Sequence, residues 1–328
     1  MALSPDTLKA FTGARTRLVW TRQQKGCRDF VGTQDDYKLM AFDTEGGERV
    51  LMDRVACYAG PRITPRGDRV VFNNNTDRNM YVINWDGTGL RRIGEKQYVA
   101  AAWADPATGE EWAYSRPNTG AMWNSKSRPI IRTMIDKPEV SEEVWGAKSM
   151  TLGWFQPSRD GSYAATVMFW PSCGMVTLPQ GRFRKFDKGC WTSLAPDDSG
   201  RMWVFDPDHR SVKLYDRRGK RLCRLDIGTA PSVKGWEVYH PRWSNNVRFF
   251  TVTGPYSDNR PCACTQDEWD GYDVNKLPNL IPCGGHNVEL LVGRLNEELT
   301  RVIGWIRVTD NDKADFHGDC WVEPQVGL

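Results

Sequence analysis

Histidine is scarce in this chain, and its four copies are the side chains best suited to chemistry. They are His209, His240, His286 and His317. Neutral imidazole acts as a general base near pH 7 and is a common ligand for Zn, Mn, Fe and Cu. The four residues therefore predict a metal centre or a proton-transfer site, provided that the fold brings them together. The alternative is that each imidazole fixes its own loop by a hydrogen bond.

His240 is the strongest single candidate, because residues of several useful types lie near it. It belongs to the segment Tyr239-His240-Pro241-Arg242, and Tyr256 follows in the same region. A guanidinium can neutralise a carboxylate, while His or Tyr can remove a proton beside it. We therefore predict His240, Arg242, Tyr239 and Tyr256 as the catalytic residues.

Short strands joined by tight turns must position these residues, because helical patterns are few. The clearest stretch is 82–93, in which Asp86-Gly87 supplies the turn. Gly accepts a positive φ at little steric cost, and Asp-Gly is therefore typical of hairpins. A second strand–turn–strand pattern lies just upstream, at 61–72. Together they predict one four-stranded antiparallel unit of about 40 residues, the period of a propeller blade.

Repetition of this unit predicts an all-β fold, a six-bladed β-propeller of four-stranded antiparallel blades in one domain. A lead-in occupies 1–14, and an insertion occupies 254–286. The blades are expected at about 15–54 plus 315–324, 58–97, 98–148, 150–188, 189–232 and 238–310. The segment 317–324 matches the start of blades three and four, so this C-terminal strand is expected to join the N-terminal blade. Such pairing closes the ring and removes two sheet edges. A seventh, degenerate blade inside the insertion stays open.

Blade geometry predicts that all four histidines lie on one face of the disc. The first strand of each blade starts at that face, and the loop between its second and third strands returns there. His240 and His317 start first strands, whereas His209 and His286 lie in such loops. The long insertions at 21–36, 115–127 and 254–286 belong to the same loop class. Because binding residues concentrate on loops, the face that carries the long insertions is expected to be the ligand-binding face.

Three residues on first strands are predicted to bind substrate: Trp191, Arg62 and Asp319. A divalent metal (Mn, Zn, Ca or Cu) would be held by the four histidines, with Asp319 and Asp208 able to complete its coordination sphere. Most recurring tryptophans are expected to pack between neighbouring blades: Trp103, Trp154, Trp191, Trp243 and Trp321.

The repeat also carries a family resemblance. The segments 64–72, 80–87 and 156–163 resemble the repeat of TolB-like six-bladed propellers, and weaker copies extend over most of the chain. The segments 189–197 and 240–245 look like uncharacterised exported propellers of environmental bacteria, often attached to carbohydrate-handling modules. The broad fold includes oligogalacturonate lyases, which resemble this chain in using propeller-face histidines as metal ligands. Their ligand spacing does not register here, so no catalytic role transfers residue by residue.

The resemblance implies a carbohydrate-active protein, acting on a polysaccharide or oligosaccharide at the central mouth. Against a uronic-acid polymer the reaction would be β-elimination, with a metal or Arg242 neutralising the carboxylate. A hydrolase would need two carboxylates across the glycosidic bond, and Asp208, Asp315 and Asp319 are available. The alternative is a non-catalytic propeller that binds a glycan or a protein partner. The sequence does not indicate the oligomeric state.

The overall composition argues against several other classes of protein. Hydrophobic residues make up 40% and charged residues 26%, with a net charge of +3. This balance favours a globular protein and gives no case for nucleic acid or an anionic membrane as partner. No apolar run approaches the ~18 residues that a membrane span needs. The N-terminus lacks signal-peptide features.

Nine cysteines are many for a cytosolic protein, which favours a secreted or periplasmic protein whose leader has been removed. The blade map predicts disulfides between Cys27 and Cys57 and between Cys173 and Cys190. Two more could involve Cys262, Cys264, Cys283 and Cys320, which leaves Cys223 unpaired. A cytosolic protein with scattered thiols and a thiolate metal site at 262–264 are the competing interpretations.

Overall fold

Six antiparallel sheets of four strands account for nearly all regular structure in the computed structural model. The residues that it describes are 3–24, 35–118, 129–146, 150–168, 170–233, 236–256 and 288–325. The prediction of an all-β, six-bladed propeller is confirmed.

The strands follow the chain blade by blade, apart from the last. Blade one contains β1 (Thr16–Gln23), β2 (Tyr37–Asp43) and β3 (Gly47–Ala56), and blade two contains β4 (Tyr58–Ile63), β5 (Arg69–Asn74), β6 (Asn79–Asn84) and β7 (Arg91–Gly94). Blade three contains β8 (Gln97–Ala104), β9 (Glu111–Pro117), β10 (Ile130–Met134) and β11 (Ser141–Trp145), and blade four contains β12 (Met150–Pro157), β13 (Tyr163–Met168), β14 (Ser172–Thr177) and β15 (Phe183–Lys188). Blade five contains β16 (Cys190–Leu194), β17 (Met202–Phe205), β18 (Ser211–Tyr215) and β19 (Arg221–Asp226), and blade six contains β20 (Glu237–Trp243), β21 (Phe249–Tyr256), β22 (Glu289–Leu295) and β23 (Val302–Arg307).

The ring is closed by the C-terminal strand β24 (Ala314–Val322), as predicted. This strand pairs antiparallel with β1, with Thr16 opposite Val322 and Val19 opposite Asp319. It thereby becomes the first strand of blade one, so that blade one lies between blades six and two. First strands of neighbouring blades contact one another around the ring. Closure gives β1 a partner on both sides, so this strand is not left as an edge at which another chain could pair.

Tryptophans pack between neighbouring blades. Trp321 of blade one donates its Nε1–H to the Pro65 carbonyl of blade two at 2.9 Å. Its ring lies so close to Gly67 that a Cβ there would stand 2.5 Å away, and Gly67 also has a φ of 81°. Trp203 of blade five stacks on Trp243 of blade six with ring centroids 4.0 Å apart. Such buried aromatic contacts give these two blade interfaces much of their apolar area.

The hairpin at Asp86-Gly87 has the predicted turn. Gly87 has a φ of 91°, and its N–H donates to the Asn84 carbonyl at 2.9 Å. Asp86 accepts the Thr88 N–H at 2.8 Å. This turn joins β6 to β7, on the face opposite the turn that joins β5 to β6.

One α-helix, α1 (Pro5–Thr12), is described before the first blade. Ser4 caps its start by accepting the Thr7 N–H, and Gly13 ends it in the left-handed conformation. Phe11 contacts Phe249 of blade six with ring centroids 6.0 Å apart. A 3-10 helix, Pro231–Val233, precedes β20. Among the described residues, no helix is long and apolar enough to cross a membrane.

The predicted Cys173–Cys190 disulfide is wrong, because both residues carry free thiols. Cys173 Sγ lies 3.7 Å from the Pro171 carbonyl, whereas Cys190 Sγ accepts the Trp170 Nε1–H at 3.0 Å. Each sulfur is thus held by a different neighbour. Burial raises the pKa of both thiols, which favours their protonated forms.

Two further cysteines, Cys223 and Cys320, also carry free thiols. Cys223 was expected to stay unpaired. The remaining predicted partners fall outside the described residues: Cys27, Cys262, Cys264 and Cys283.

Candidate functional site

In all six blades the pairing of the first strand with the second shifts register within the first strand. In blades one, two, five and six a residue at the shift also has a positive φ: 55° at His317, 55° at Gly60, 39° at Trp191 and 55° at His240. Such bulges re-aim side chains, and a positive φ is costly for residues other than Gly. We call the residues at and just after these bulges the axial site, namely Arg62, Trp191, His240, Arg242, His317 and Asp319.

His240 is nearly fully buried, with 7% of its surface exposed. Its Nδ1 lies 2.9 Å from the Thr253 hydroxyl, and that hydroxyl donates to the Tyr239 carbonyl at 3.2 Å. Because Thr253 has one proton to give, these contacts favour the tautomer with hydrogen on Nδ1. The lone pair of the ring then lies on Nε2.

The surroundings keep His240 neutral. Burial, reinforced by electrostatic interaction with His317 and Arg62, lowers its pKa well below the usual 6.5. Desolvation and like charges both disfavour an imidazolium. His240 is therefore an uncharged imidazole at pH 7, able to accept a proton.

His317 and Trp191 pack against His240. The centroids of the two imidazoles are 4.4 Å apart, with an interplanar angle of 67°. Trp191 meets His240 edge to face, with centroids 5.5 Å apart. Trp191 also contacts Trp154 of blade four at 4.9 Å, so it packs between blades while reaching the axial site.

The two arginines of the axial site have different partners. Arg242 Nε donates to Asp319 Oδ1 at 2.8 Å, and Asp319 Oδ2 accepts the Ile63 N–H at 2.8 Å. Arg62 donates to backbone carbonyls, namely those of Ala100 at 3.2 Å and Pro61 at 2.7 Å. Within the part of the chain that the structure describes, Arg62 forms no ion pair.

Burial, reinforced by the nearby Arg242, lowers the pKa of Arg62 to about 9. The guanidinium therefore still carries its charge at pH 7. Arg62 is half-buried, and the Asp319 carboxylate, which pairs with Arg242, also favours its charged form electrostatically. This combination makes Arg62 the axial cation best placed to receive an anionic ligand.

His209 belongs to a separate network. Its Nδ1 lies 2.6 Å from the Tyr239 hydroxyl and 3.1 Å from Glu237 Oε2. Tyr239 also donates to Glu237 at 3.2 Å. The His209 and Tyr239 rings are in contact, with centroids 4.5 Å apart. His209 is thus held by a carboxylate and a phenol beside the axial site, and Tyr239 separates it from His240.

The predicted four-histidine metal site is only partly assembled. His240 and His317 meet, His209 is held elsewhere, and His286 lies outside the described residues. No group of three or more His, Cys, Asp or Glu that could hold a metal occurs among the described residues. The axial imidazoles could supply two nitrogen ligands, which alone do not make a structural or catalytic metal site.

Tyr256, a predicted catalytic residue, is buried with 2% of its surface exposed. Its hydroxyl lies 3.2 Å from that of Thr253. Burial raises the pKa of Tyr256 far above its usual value of 10.0, so the phenol stays protonated. Its position supports Thr253 and, through it, the orientation of His240.

A cavity opens on the opposite face, at the other end of the axis. It has a volume of about 640 Å³ and is lined by the ends of first strands from all six blades. Arg242 and Asp319 contribute to its lining. Their ion pair therefore lies between this cavity and the histidines. Sequence reasoning missed this cavity, because its lining combines the ends of first strands with the short turns that follow them, and neither has an unusual composition.

Sequence reasoning also missed Thr253 and Glu237, which orient the two histidine networks. Neither stands out, because Thr and Glu are common on strands.

Two of the bulges, in contrast, have a recognisable sequence pattern. Blades two and six repeat the pattern of a positive-φ residue, Pro and Arg, as Gly60-Pro61-Arg62 and His240-Pro241-Arg242.

No protein-family model matches the sequence, and no curated protein sequence matches it. Among solved structures, the chain is similar to TolB from Acinetobacter baumannii, with a TM-score of 0.58 and 11% identity over 96% of this chain and 69% of that chain. It has the TolB-like propeller fold. A protein assigned as TolB from Agrobacterium tumefaciens gives a TM-score of 0.53 and 8% identity, over 95% of this chain and 99% of that chain. At such identities the likeness concerns the fold alone.

Carbohydrate-active propellers also occur among the structural neighbours of this TolB-like fold. Oligogalacturonate lyase from Vibrio parahaemolyticus matches with a TM-score of 0.40 and 17% identity, over 62% of this chain and 60% of that chain. A likeness of this size does not bear on activity, which must be argued from the axial site itself.

Proposed function

We propose that the axial site binds a uronate unit of a polysaccharide or oligosaccharide and that the protein acts as a polysaccharide lyase. One observation carries the proposal. Arg62, a guanidinium with no ion pair among the described residues, and the neutral His240 lie at equivalent bulges on the two first strands that flank β24. An anion-binding group beside a base is what removal of a proton next to a carboxylate requires.

Arg62 and His240 have different roles in the proposed β-elimination. Arg62 binds the carboxylate of the uronate and stabilises the negative charge that spreads onto it as the neighbouring C5–H bond breaks. His240 Nε2 takes that proton. The C–H electron pair forms the C4=C5 double bond, and the C4–O4 bond breaks with its electrons on the leaving oxygen. That oxygen then takes a proton from the imidazolium or from water.

The other residues of the axial site position these two. Trp191 and His317 pack against the His240 ring, while Thr253 fixes its tautomer. Arg242, predicted from sequence to neutralise the substrate carboxylate, has Asp319 as its carboxylate partner. We therefore assign the carboxylate-binding role to Arg62 and a positioning role to Arg242.

A hydrolase mechanism has less support. It requires two carboxylates facing the glycosidic bond. Asp208 is bound by Arg224 and Ser211, and Asp315 accepts hydrogen bonds from Trp20 and Arg22. Asp319 is held by Arg242 and the Ile63 N–H. Each candidate acid or base is thus already occupied within the fold.

A divalent metal is a separate part of the proposal. His240 and His317 would contribute nitrogen ligands, and the remaining ligands would have to come from beyond the described residues or from the substrate. Metal analysis of the purified protein tests this part. We also propose a secreted or periplasmic location, where polysaccharides are met, and cell fractionation tests it.

The test is turnover of a panel of uronate polymers, beginning with polygalacturonate. The unsaturated product has a conjugated carboxylate, so its ultraviolet absorbance separates a lyase from a hydrolase. We expect His240→Gln to lower turnover by about 10²- to 10⁴-fold, the usual contribution of a general base. His209→Gln is the matched control, because it changes a histidine of the same face outside the axial site.

Turnover by His240→Gln at the wild-type rate would rule out His240 as the base. Uronate binding without any turnover in the wild type would favour the non-catalytic, glycan-binding alternative. Absence of uronate binding would remove the proposal altogether.

A further inference from the structure

We propose that blades four and five carry a second binding surface at their outer edge, which holds the chain of an anionic polysaccharide. This surface is separate from the axial site, so the proposal goes beyond the proposed function; the choice of a uronate polymer as the partner rests on that function. We call the surface the basic edge. It is formed by eight cationic side chains: Arg182, Arg184, Lys185, Lys188, Arg217, Arg218, Lys220 and Arg221.

The basic edge is one continuous surface, although it comes from two blades. Half of its cations lie on or next to β15 of blade four, and the others lie on the β18–β19 turn and at the start of β19 in blade five. A Cβ at Gly219 of that turn would stand 2.9 Å from the Phe186 ring of β15. The Phe186 and Tyr215 rings have centroids 5.9 Å apart, and the Tyr215 hydroxyl donates to Asp187 at 2.5 Å. The two groups of cations therefore lie side by side.

The charge of the basic edge is high for this chain. Segments 182–188 and 215–221 contain eight cations and two carboxylates, a net charge of +6, whereas the whole chain carries +3. All eight cationic side chains are exposed. None of them forms an ion pair with a described residue, whereas Arg224, further along β19, pairs with Asp208. Like charges gathered in this way repel one another, and a bound polyanion relieves that repulsion.

The two carboxylates within the basic edge already have partners. Asp187 lies 3.3 Å from Lys213 Nζ, in addition to its bond from the neighbouring phenol. Asp216 Oδ1 accepts the N–H groups of Arg218 and Lys220, both at 2.8 Å, and thereby fixes the turn. The cationic side chains are therefore left to a ligand from outside the chain.

Aromatic rings hold two arginines of the basic edge. The Arg184 guanidinium lies over the Phe186 ring, 5.8 Å from its centroid, and that of Arg217 lies over the Tyr163 ring at 4.3 Å. A cation–π contact restrains the side chain and leaves its N–H groups available. A guanidinium presents these donors in a planar fork that matches the two oxygens of a carboxylate.

The geometry of the basic edge favours a linear polymer of carboxylates. Its cations follow an extended strand and the adjacent turn, so that one polymer chain can contact several of them at once. Proteins that bind single-stranded nucleic acid stack its bases on aromatic side chains. In segments 182–188 and 215–221, however, the aromatic side chains are half-buried or buried: Phe183, Phe186 and Tyr215. A uronate polymer needs no such stacking and carries the required charge.

The basic edge lies apart from the axial histidines. Third strands run in the same direction as first strands, so the β18–β19 turn lies on the face where the cavity opens. With neighbouring strands about 4.8 Å apart, an outer strand lies about 15 Å from the first strand of its blade. A single uronate at the axial site does not reach the basic edge, whereas a long polymer can contact both.

The experiment compares polygalacturonate with the galacturonate monomer. Calorimetry at low salt gives the dissociation constants of a parent protein, His240→Gln, and of two quadruple variants made in it. This common background prevents the proposed turnover from shortening the polymer. The basic-edge variant carries Arg182→Gln, Lys185→Gln, Arg218→Gln and Lys220→Gln. The matched control has the same net charge and replaces four other exposed cations that form no ion pair among the described residues: Lys9→Gln, Arg54→Gln, Arg92→Gln and Lys137→Gln.

We expect the basic-edge variant to bind polygalacturonate at least about tenfold more weakly than the parent, because half of the cations that contact the polymer lose their charge. Its affinity for galacturonate should be unchanged, since the axial site is intact. The control variant should match the parent for both ligands. Rising salt should weaken polymer binding by the parent, and less steeply that by the basic-edge variant. Circular dichroism checks that each variant is folded.

Three outcomes would overturn the inference. These are unchanged polygalacturonate binding in the folded basic-edge variant, equal losses in the two quadruple variants, and tighter binding of a DNA duplex or of phosphatidylserine vesicles than of polygalacturonate. The proposed function is tested separately, by the unsaturated product of the wild type. Polymer binding through the basic edge without that product would keep the inference and remove the lyase activity. Product formation with a basic edge that does not affect polymer binding would do the reverse.

Discussion

Blades two and six contain the same short sequence pattern, but its arginine has a different partner in each blade. Gly60-Pro61-Arg62 and His240-Pro241-Arg242 both form a bulge on a first strand, with a φ of 55° at the leading residue. Arg242 nevertheless pairs with Asp319, whereas Arg62 donates to backbone carbonyls. The difference comes from blade one, which lies between them and presents the Asp319 Oδ atoms asymmetrically. The role of each arginine is therefore decided by its neighbour across the ring.

The largest effect that would test this comparison is on stability. Arg242→Ala should lower the free energy of unfolding by about 3–5 kcal/mol, because it leaves the buried Asp319 carboxylate without its cation. Urea unfolding measures the loss. Arg62→Ala, at the equivalent position of blade two, is the control and should cost less than about 1 kcal/mol, the usual range for a residue outside a buried ion pair. Equal losses in the two variants would show that the two arginines are structurally equivalent.

The next effect is on ligand binding. Arg62→Ala should weaken galacturonate binding by at least about tenfold, since hydrogen bonds to charged groups contribute about 1.5–3 kcal/mol. Calorimetry measures the dissociation constant, and Arg62→Lys tests whether a charge without the guanidinium shape is enough. Unchanged binding in Arg62→Ala would break the assignment of Arg62 as the ligand-binding member of the pair.

A smaller effect, on the pH dependence of stability, distinguishes the leading residues of the two bulges. His240 can titrate, whereas Gly60 cannot. The folded pKa of His240 lies well below 6.5, its usual value, so the unfolded chain binds more protons between those two pKa values. Its contribution to stability is present above pH 6.5 and is lost as the pH falls below it. The charged or titratable groups that shift this pKa are His317 and Arg62.

We expect this group to remove about 1 kcal/mol of stability between pH 7 and pH 5.5, from the proton-linkage relation. Denaturant unfolding at the two pH values measures it. His240→Gln should show a correspondingly flatter dependence. The same slope in the variant would mean that the loss arises at another residue.

The smallest effect concerns the shared backbone. Pro61→Ala and Pro241→Ala should each lower the unfolding free energy by about 0.4–1 kcal/mol, because Pro restricts the unfolded chain. The two losses should agree, since both prolines occupy the same position in equivalent bulges. A clear inequality, measured by thermal or urea unfolding, would show that the two bulges are not the same device.

Much of the fold was predictable from the sequence because its determinants are local. Asp86-Gly87 specifies its own turn, and repetition of the blade pattern gave the count of six and the closure by the C-terminal strand. The predicted face also brought His240 and His317 together. These features depend on strand order and turn chemistry, which sequence carries directly.

The details of the axial site depend on contacts between blades, which the repeat pattern does not carry. Arg242 and Asp319 are 77 positions apart. The sequence therefore did not show that Asp319 would pair with Arg242 and not with Arg62. His209 lies on the predicted face, yet Glu237 and Tyr239 hold it in a network of its own. The Cys173–Cys190 prediction was wrong, since both residues carry free thiols; a blade map does not specify the distance and orientation of two Cβ atoms that a disulfide requires.

Ring closure by β24 has a consequence for biosynthesis. This strand brings both His317 and Asp319 to the axis, and it pairs with a strand almost 300 residues earlier, as in the Trp20–Asp315 hydrogen bond at a separation of 295. On the ribosome, blades two to six can form before this strand emerges. The charge arrangement at the axis is therefore assembled last, and a nascent chain that stops before β24 has Arg242 without its counter-ion. Such a chain also lacks His317 and leaves β1 without one of its two partner strands.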